Sequence, residues 1–127
     1  MEISSYKDLL VWQKAHQLVK KVFKITKAVN KDFISWEIIK QLVKSVTSIP
    51  ANIVEGYYSH QGKNFASHLE ISRGSTGETD YWLFELHDNG YISQSQYEDA
   101  SRDCNELIKM LSSFINKIRK KSLITDH

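Results

Sequence analysis

Ser48-Ile49-Pro50-Ala51-Asn52-Ile53-Val54-Glu55-Gly56 holds the single proline of the 127-residue chain, and its reading decides the fold. Ile38, Ile39, Leu42, Val43, Val46 and Ile49 before Pro50, and Ile53, Val54 and Tyr57 after it, keep the spacing of one helix face. The pattern therefore predicts a helix that runs through Pro50 instead of stopping before it. A proline there has no N–H for the carbonyl of Val46, and its ring crowds that carbonyl, a cost of roughly 3 kcal/mol relative to alanine. Ser45, Thr47 and Ser48 stand one turn earlier, where hydroxyls can serve freed carbonyls. Taken alone, this is a packing kink.

Three further amphipathic segments surround it. The first spans Tyr6 to Val29, with Ser5 as N-cap and Asp8 closing a capping box, and with Leu10, Trp12, Ala15, Leu18, Val19, Val22, Ile25 and Val29 as its apolar stripe. The proline-bearing segment starts near Ser35 as N-cap. It ends at Gly56 or Tyr57, with Gly56 a cap candidate and Tyr57-Tyr58 able to extend the helix. A polar loop, Ser59-His60-Gln61-Gly62, leads to a third segment from about Asn64 to Asp88. Asn89-Gly90 is a turn, and Ser93 with Gln96 forms the capping box of a fourth segment reaching about Lys121, beyond which Leu123 to His127 should fray. Segments of about 22–27 residues are about 33–40 Å long, and short connections make each antiparallel to the one before. The fold class is all-α: one domain, residues 1–127, an antiparallel up-down-up-down four-helix bundle.

The centre of the third segment, Ser72-Arg73-Gly74-Ser75-Thr76-Gly77, is poor in helix formers, each glycine costing about 1 kcal/mol relative to alanine. A phosphate loop is excluded, because no Gly-Lys-Ser/Thr ending and no preceding strand accompany it. The expectation is close helix approach, with Pro50 opposite Gly74 and Gly77, so that Gly74→Leu would overpack the contact.

Ser48-Ile-Pro-Ala-Asn-Ile-Val-Glu-Gly56, followed by Phe65-x-x-x-Leu69-x-Ile71-Ser72-Arg73-Gly74-Ser75-x-x-Glu78, resembles the signature of a bacterial four-helix bundle family. Its members are the 23S rRNA intervening-sequence proteins, formerly labelled ribosomal proteins and related to the accessory variability determinants of diversity-generating retroelements. The likeness extends back to Tyr6-Lys-Asp-Leu-x-Val-Trp12-Gln-Lys-Ala15 and on to the last helix. Ser48, Pro50, Asn52, Glu55, Gly56, Gly74, Ser75 and Glu78 carry its motifs. The chain departs from the pattern at Val43-Lys44 (often a basic pair), at Asn30-Lys31, at Trp36-Glu37, and at Gly77, where a bulkier residue is usual. The absent basic residue weakens any nucleic-acid contact expected from that face. The resemblance implies an oligomer, a pentamer favoured, that binds RNA or DNA through basic surface and partners a reverse transcriptase or another protein.

Charge is segregated. Residues 1–44 carry nine lysines against four acids (+5), residues 55–106 three basic residues against ten acids (−7), and residues 107–127 five against one (+4). Such a pattern admits a localised anionic partner, and also the meeting of unlike faces between copies. The candidate nucleic-acid contacts are Lys14, Lys20, Lys21, Lys24, Lys27, Lys117, Arg119, Lys120 and Lys121. In an antiparallel bundle the tail of the fourth helix should extend the strip on the first. Three arginines in all give little support for bidentate reading of bases.

Little here points to chemistry. No Glu-x-x-His pair occurs, so a di-metal carboxylate bundle is not expected, and neither a metal nor a cofactor is assigned. Cys104 is alone, which rules out an internal disulfide. Ser75 beside Glu78 has no placed base. Glu55 and Asn52 share a helix face as a polar pair, and Arg73 has Glu70 and Glu55 as candidate partners. The expectation is a non-enzymatic, cytoplasmic protein with neither leader nor membrane span. The alternative is a self-assembling scaffold with no nucleic-acid role, anchored by Trp36, Tyr57, Tyr58 and Trp82.

Overall fold

The computed structural model describes residues 2–59 and 62–125, with side chains through Lys121. A short 3-10 turn, Tyr6–Asp8, precedes four helices: α1 (Leu10–Ala28), α2 (Phe33–Ser59), α3 (Gly62–Asp88) and α4 (Gln94–Thr125). Each packs on its neighbours in chain order, and α4 closes the ring against α1. Paired residues fix the directions. Lys14 and Lys21 of α1 meet Asp103 and Asp99 of α4, Ser45 and Asn52 of α2 meet Thr79 and His68 of α3, and Arg73 of α3 meets Ser112 of α4. Along the α1–α4 and α2–α3 seams one chain position rises as the other falls. The expected antiparallel bundle is observed.

The helix ends follow local chemistry. Ser5 accepts from the Lys7 N–H and the Asp8 carboxylate reaches back to the Ser5 N–H, but this box closes only the 3-10 turn. Leu9 is extended (φ −74°, ψ 126°), so the first segment breaks there and α1 begins at Leu10. Asp32, not Ser35, caps α2: its carboxylate accepts from the Ser35 N–H at 2.8 Å while the Ser35 hydroxyl accepts from the Asp32 N–H at 2.8 Å. At the end of α3, Gly90 (φ +82°) is left-handed and the Tyr91 N–H reaches the Leu86 carbonyl at 2.8 Å, a Schellman ending. Ser93 and Gln96 form the expected box. Of the expected loop, His60 and Gln61 lie outside the described residues, as do Asp126 and His127 of the tail; α4 itself continues past Lys121 to Thr125.

Leu18, Val22, Leu42, Ile49, Ile53, Leu69, Leu83, Leu107, Leu111 and Ile115 fill the core and are almost wholly buried. Pro50 lies inside α2, as its flanking apolar spacing requires. The nearby hydroxyls go to other carbonyls than that of Val46, Ser45 donating to Leu42 and Thr47 to Val43.

Gly74 and Gly77 do not make the expected close approach. Among the described residues, a Cβ added at either would meet no packing neighbour within 4 Å. The apolar and hydroxyl stripe Leu69, Ser72, Thr76, Thr79, Leu83 and Leu86 turns inward, which places both glycines on the outer side of α3. Hydroxyls join the two helices instead. Ser72 donates to the Ile49 carbonyl at 2.9 Å, Ser75 donates to the Ser48 hydroxyl at 3.1 Å, and the Ser45 and Thr79 hydroxyls lie 3.0 Å apart. The glycine that does sit in a tight contact is Gly56, buried inside α2 and not its cap. A Cβ there would lie 2.7 Å from Phe65 Cδ1 and 3.0 Å from His68 Cβ.

Candidate nucleic-acid interface

The lysines of α1 divide by helix face. Lys14 and Lys21 are seven residues apart, two turns, and both point to α4. Asp99, Asp103 and Glu106 recur there at the same helical spacing. Lys14 pairs with Asp103 at 3.1 Å and Glu106 at 2.8 Å, and Lys21 pairs with Asp99 at 2.7 Å and with Asp103. Burial alone would push the Asp103 carboxyl up, but Lys21 and Lys14 together outweigh it and hold it below the usual carboxylate range. The same hydrogen bonds, led by Glu106 for Lys14 and by Asp103 for Lys21, raise both ammonium groups. Two of the nine candidate cations are thus the α1–α4 clamp.

Lys20, Lys24 and Lys27 occupy the outer face of α1 and make no ion pair among the described residues. Across the α1–α2 seam Lys44 is likewise exposed and unpaired among those residues, while Lys40 holds a surface pair with Glu37 at 3.4 Å. The cations of α4 lie elsewhere. Lys117 lines an apolar groove with Leu10, Val11, Met110 and Phe114, so the tail of α4 does lie beside the start of α1. Lys20–Lys27, however, are at the other end. From the level of Lys21, beside Asp99 and Asp103, to Lys117 is about 24 Å along α4. The tail therefore does not extend the α1 row; the clamp separates them. Arg119 pairs with Glu70, Lys121 is not free, and Lys117 and Lys120 make no ion pair among the described residues.

The motif residues build the α2–α3 seam. Asn52 donates to the Ser48 carbonyl at 2.9 Å and hydroxyl at 3.0 Å, and its carbonyl oxygen lies 3.2 Å from His68 Nδ1. Glu55 approaches the same nitrogen at 3.6 Å, so the Asn52/Glu55 pair shares a face as expected and is turned to α3. Glu78 accepts from the Trp82 indole at 3.0 Å. Arg73 chooses neither Glu70 nor Glu55; it donates to Ser112 at 3.2 Å. The Ser75 hydroxyl is committed to Ser48. Cys104 is fully buried, and burial first, then Asp80 and Asp103, pushes its thiol up to about 12, far from a thiolate nucleophile. Among the described residues no group of three His, Cys, Asp or Glu side chains is placed to hold a metal ion, and no helix is long and apolar enough to cross a membrane.

Two features of the surface escaped the sequence reading. One is an aromatic cluster where the 3-10 turn meets α1 and α2. The other is the outer face of α3, where exposed Ile71, Tyr81 and Phe84 flank Gly74 and Gly77. Of the expected interface anchors, Trp36 and Tyr58 are exposed, whereas Tyr57 and Trp82 pack partly against the core.

An all-α, four-helix antiparallel bundle with a hydroxyl-lined α2–α3 seam and a salt-bridged α1–α4 seam is the class these observations define. The family model for "23S rRNA-intervening sequence protein" matches residues 7–113, and the chain belongs to that family. It is similar to a crystal structure from Bacteroides thetaiotaomicron described as a protein of unknown function from the S23 ribosomal protein family, with 32% identity over 84% of this chain and 98% of that one, and a TM-score of 0.76. No curated protein matches the chain significantly.

Proposed function

We propose that the chain is a non-enzymatic accessory module that binds nucleic-acid phosphates through the outer face of α1, in the cytoplasm and as a homo-oligomer. The carrying observation is the row Lys20, Lys24 and Lys27, without an ion pair among the described residues, while Lys14 and Lys21 are consumed by α4. Lysines of this kind neutralise phosphates one by one, release counterions and read no sequence. The acidic segment 55–106 spends part of its charge on the clamp, so the cationic row stays uncompensated on its own side.

The test is a triple variant, Lys20→Gln, Lys24→Gln and Lys27→Gln, which keeps helix propensity nearly constant. Binding measured over a salt series should weaken for every sequence. The slope of log K against log salt should fall by about 2–3, since each phosphate left without its lysine accounts for roughly 0.7–0.9. An unchanged slope removes the row from the interface.

A scaffold role without nucleic acid is favoured by a different observation, the outer face of α3. Ile71, Tyr81 and Phe84 are each about half exposed around two glycines that nothing within the chain requires. Glycines flanked by apolar residues present no side chain to hold a second helix off. This supports self-association through α3, and the favoured assembly is a ring of five copies. Light scattering should then return roughly five times 14.7 kDa, and Tyr81→Lys with Phe84→Lys should reduce it to one. A monomer mass for the parent across a micromolar series would end this reading.

A further inference from the structure

We infer that the nucleic acid taken by the α1 face is single-stranded, with its bases stacking on the aromatic cluster at the end of the lysine row; this rests on the phosphate-binding reading above. The rings are Tyr6, Trp12, His16, Tyr57 and Tyr58. Tyr6 meets Trp12 edge-on with centroids 5.2 Å apart and Tyr58 at 6.2 Å, and Tyr57 meets Tyr58 at 5.3 Å. His16 lies flat against Trp12, 4.9 Å away and 11° from parallel. Tyr6, Trp12 and Tyr57 pack partly on the core and hold the 3-10 turn in place. Tyr58 and His16 do not belong to that core. Tyr58 is 59% exposed and His16 is exposed, so the cluster presents ring surface to solvent beyond what the fold uses.

Placement links the rings to the lysines. His16, Lys20, Lys24 and Lys27 are spaced by four, four and three residues, which puts all four on one face of α1 over about 16 Å. Two carboxylates lie near the rings, and each is directed at a partner within the bundle. Asp8 is bound by the N–H groups of Ser4 and Ser5, and Glu55 turns to His68 on the far side of α2. A chain laid along this face thus meets cations for its phosphates and exposed rings for its bases. Only a strand whose bases are unstacked from a complement can use the rings, since a duplex hides its base faces. The arrangement is that of single-strand binders, a cationic track with stacking platforms. Lysine in place of arginine fits a track that follows the backbone without reading base edges.

The experiment compares a short mixed-sequence RNA strand, the same sequence as DNA, and the DNA duplex, each end-labelled, by fluorescence anisotropy at low salt. The parent should bind both single strands more tightly than the duplex. The double variant His16→Ala/Tyr58→Ala should bind the single strands at least about 30-fold more weakly, as expected for two stacked bases, and the duplex as the parent does. Restoring a ring with His16→Tyr in the Tyr58-containing chain should keep parental affinity, which a merely structural loss would not. Both variants are at exposed positions, so their melts should stay cooperative and lose only the few degrees expected from the ring contacts removed. A double variant that binds single strands like the parent, or a parent that prefers duplex, overturns the stacking role and leaves the phosphate reading intact. A parent that binds none of the three overturns both.

Discussion

Leucine at position 56 should lower the melting temperature by roughly 10 °C, corresponding to about 3 kcal/mol, the upper end of the cost of overpacking a filled contact. Even the first added carbon would sit 2.7 Å from Phe65 Cδ1 and 3.0 Å from His68 Cβ. Phe65 cannot simply swing aside, because its ring packs edge-on against Phe114 of α4 with centroids 5.2 Å apart. Strain at Gly56 is therefore passed from the α2–α3 seam into α3–α4. Gly56→Ala should destabilise by a smaller amount of the same sign. Within a single chain Gly74→Ala and Gly77→Ala should do the reverse, each adding up to about 1 kcal/mol, because a better helix former enters space that no described residue of the same chain fills. Thermal melts of the four variants decide the matter. A harmless alanine at 56 together with a damaging one at 74 would mean that α3 is rotated about its axis relative to the structure described.

Removing the carboxylate of Asp103 should cost about 1.5–3 kcal/mol at neutral pH, the range for hydrogen bonds to charged groups. Its side chain is 19% exposed and serves Lys14 and Lys21 together. Glu106 and Asp99 remain, but each is more than half exposed and therefore weakly coupled. The pH dependence follows from the direction of the shifts. Asp103 is held below its ordinary value, so its contribution is fully present above the unfolded carboxylate pKa, about 4, and is lost as pH falls through the folded value. Lys14 and Lys21 are raised, so theirs is present below the ordinary lysine pKa, about 10.4, and is lost as pH rises through the folded values. The parent should thus be most stable between about pH 4 and 10, as far as the clamp is concerned. The stability gap between parent and Asp103→Asn, measured by denaturant titration, should be wide at pH 7 and shrink as the solution is made strongly acidic. A gap that stays constant into acid would show that the clamp contributes nothing through charge.

The helices could be read in the sequence because their signals are local and redundant. Apolar positions recur at helical spacing through Pro50, and the Ser93/Gln96 box and Gly90 mark their own places. Ser5 and Asp8 form the box read for them, yet the extended Leu9 after it limits that box to one turn, which no neighbouring residue advertises. Asp32 is masked as a cap in the sequence because Ser35, a common cap type, fills the third position of the same box. For the glycines the deciding quantity is helical phase. Gly56 falls in step with Ile49 and Ile53, both fully buried, whereas Gly74 and Gly77 fall in step with Ile71 and Tyr81, both half exposed. The candidate interface was legible only in outline. Counting lysines could not show that Asp99, Asp103 and Glu106, far along the chain, would claim two of them. Their shared two-turn spacing with Lys14 and Lys21 was the available signal. Ring contacts such as Tyr6 with Tyr58 join residues of different elements and left no trace in spacing.

The clamp also sets a clock. Lys21 and Asp103 are 82 residues apart in the chain, and Lys14 and Asp103 are 89. At a synthesis rate of roughly 5–20 residues per second, Lys14 and Lys21 are made roughly 4–18 s before the carboxylate that fastens them. Through that interval α1 can lean only on α2, with Lys14 and Lys21 as bare as Lys20 and Lys24. The nascent chain is therefore more cationic along this helix than the finished protein, and the acids that hide it come late in the sequence.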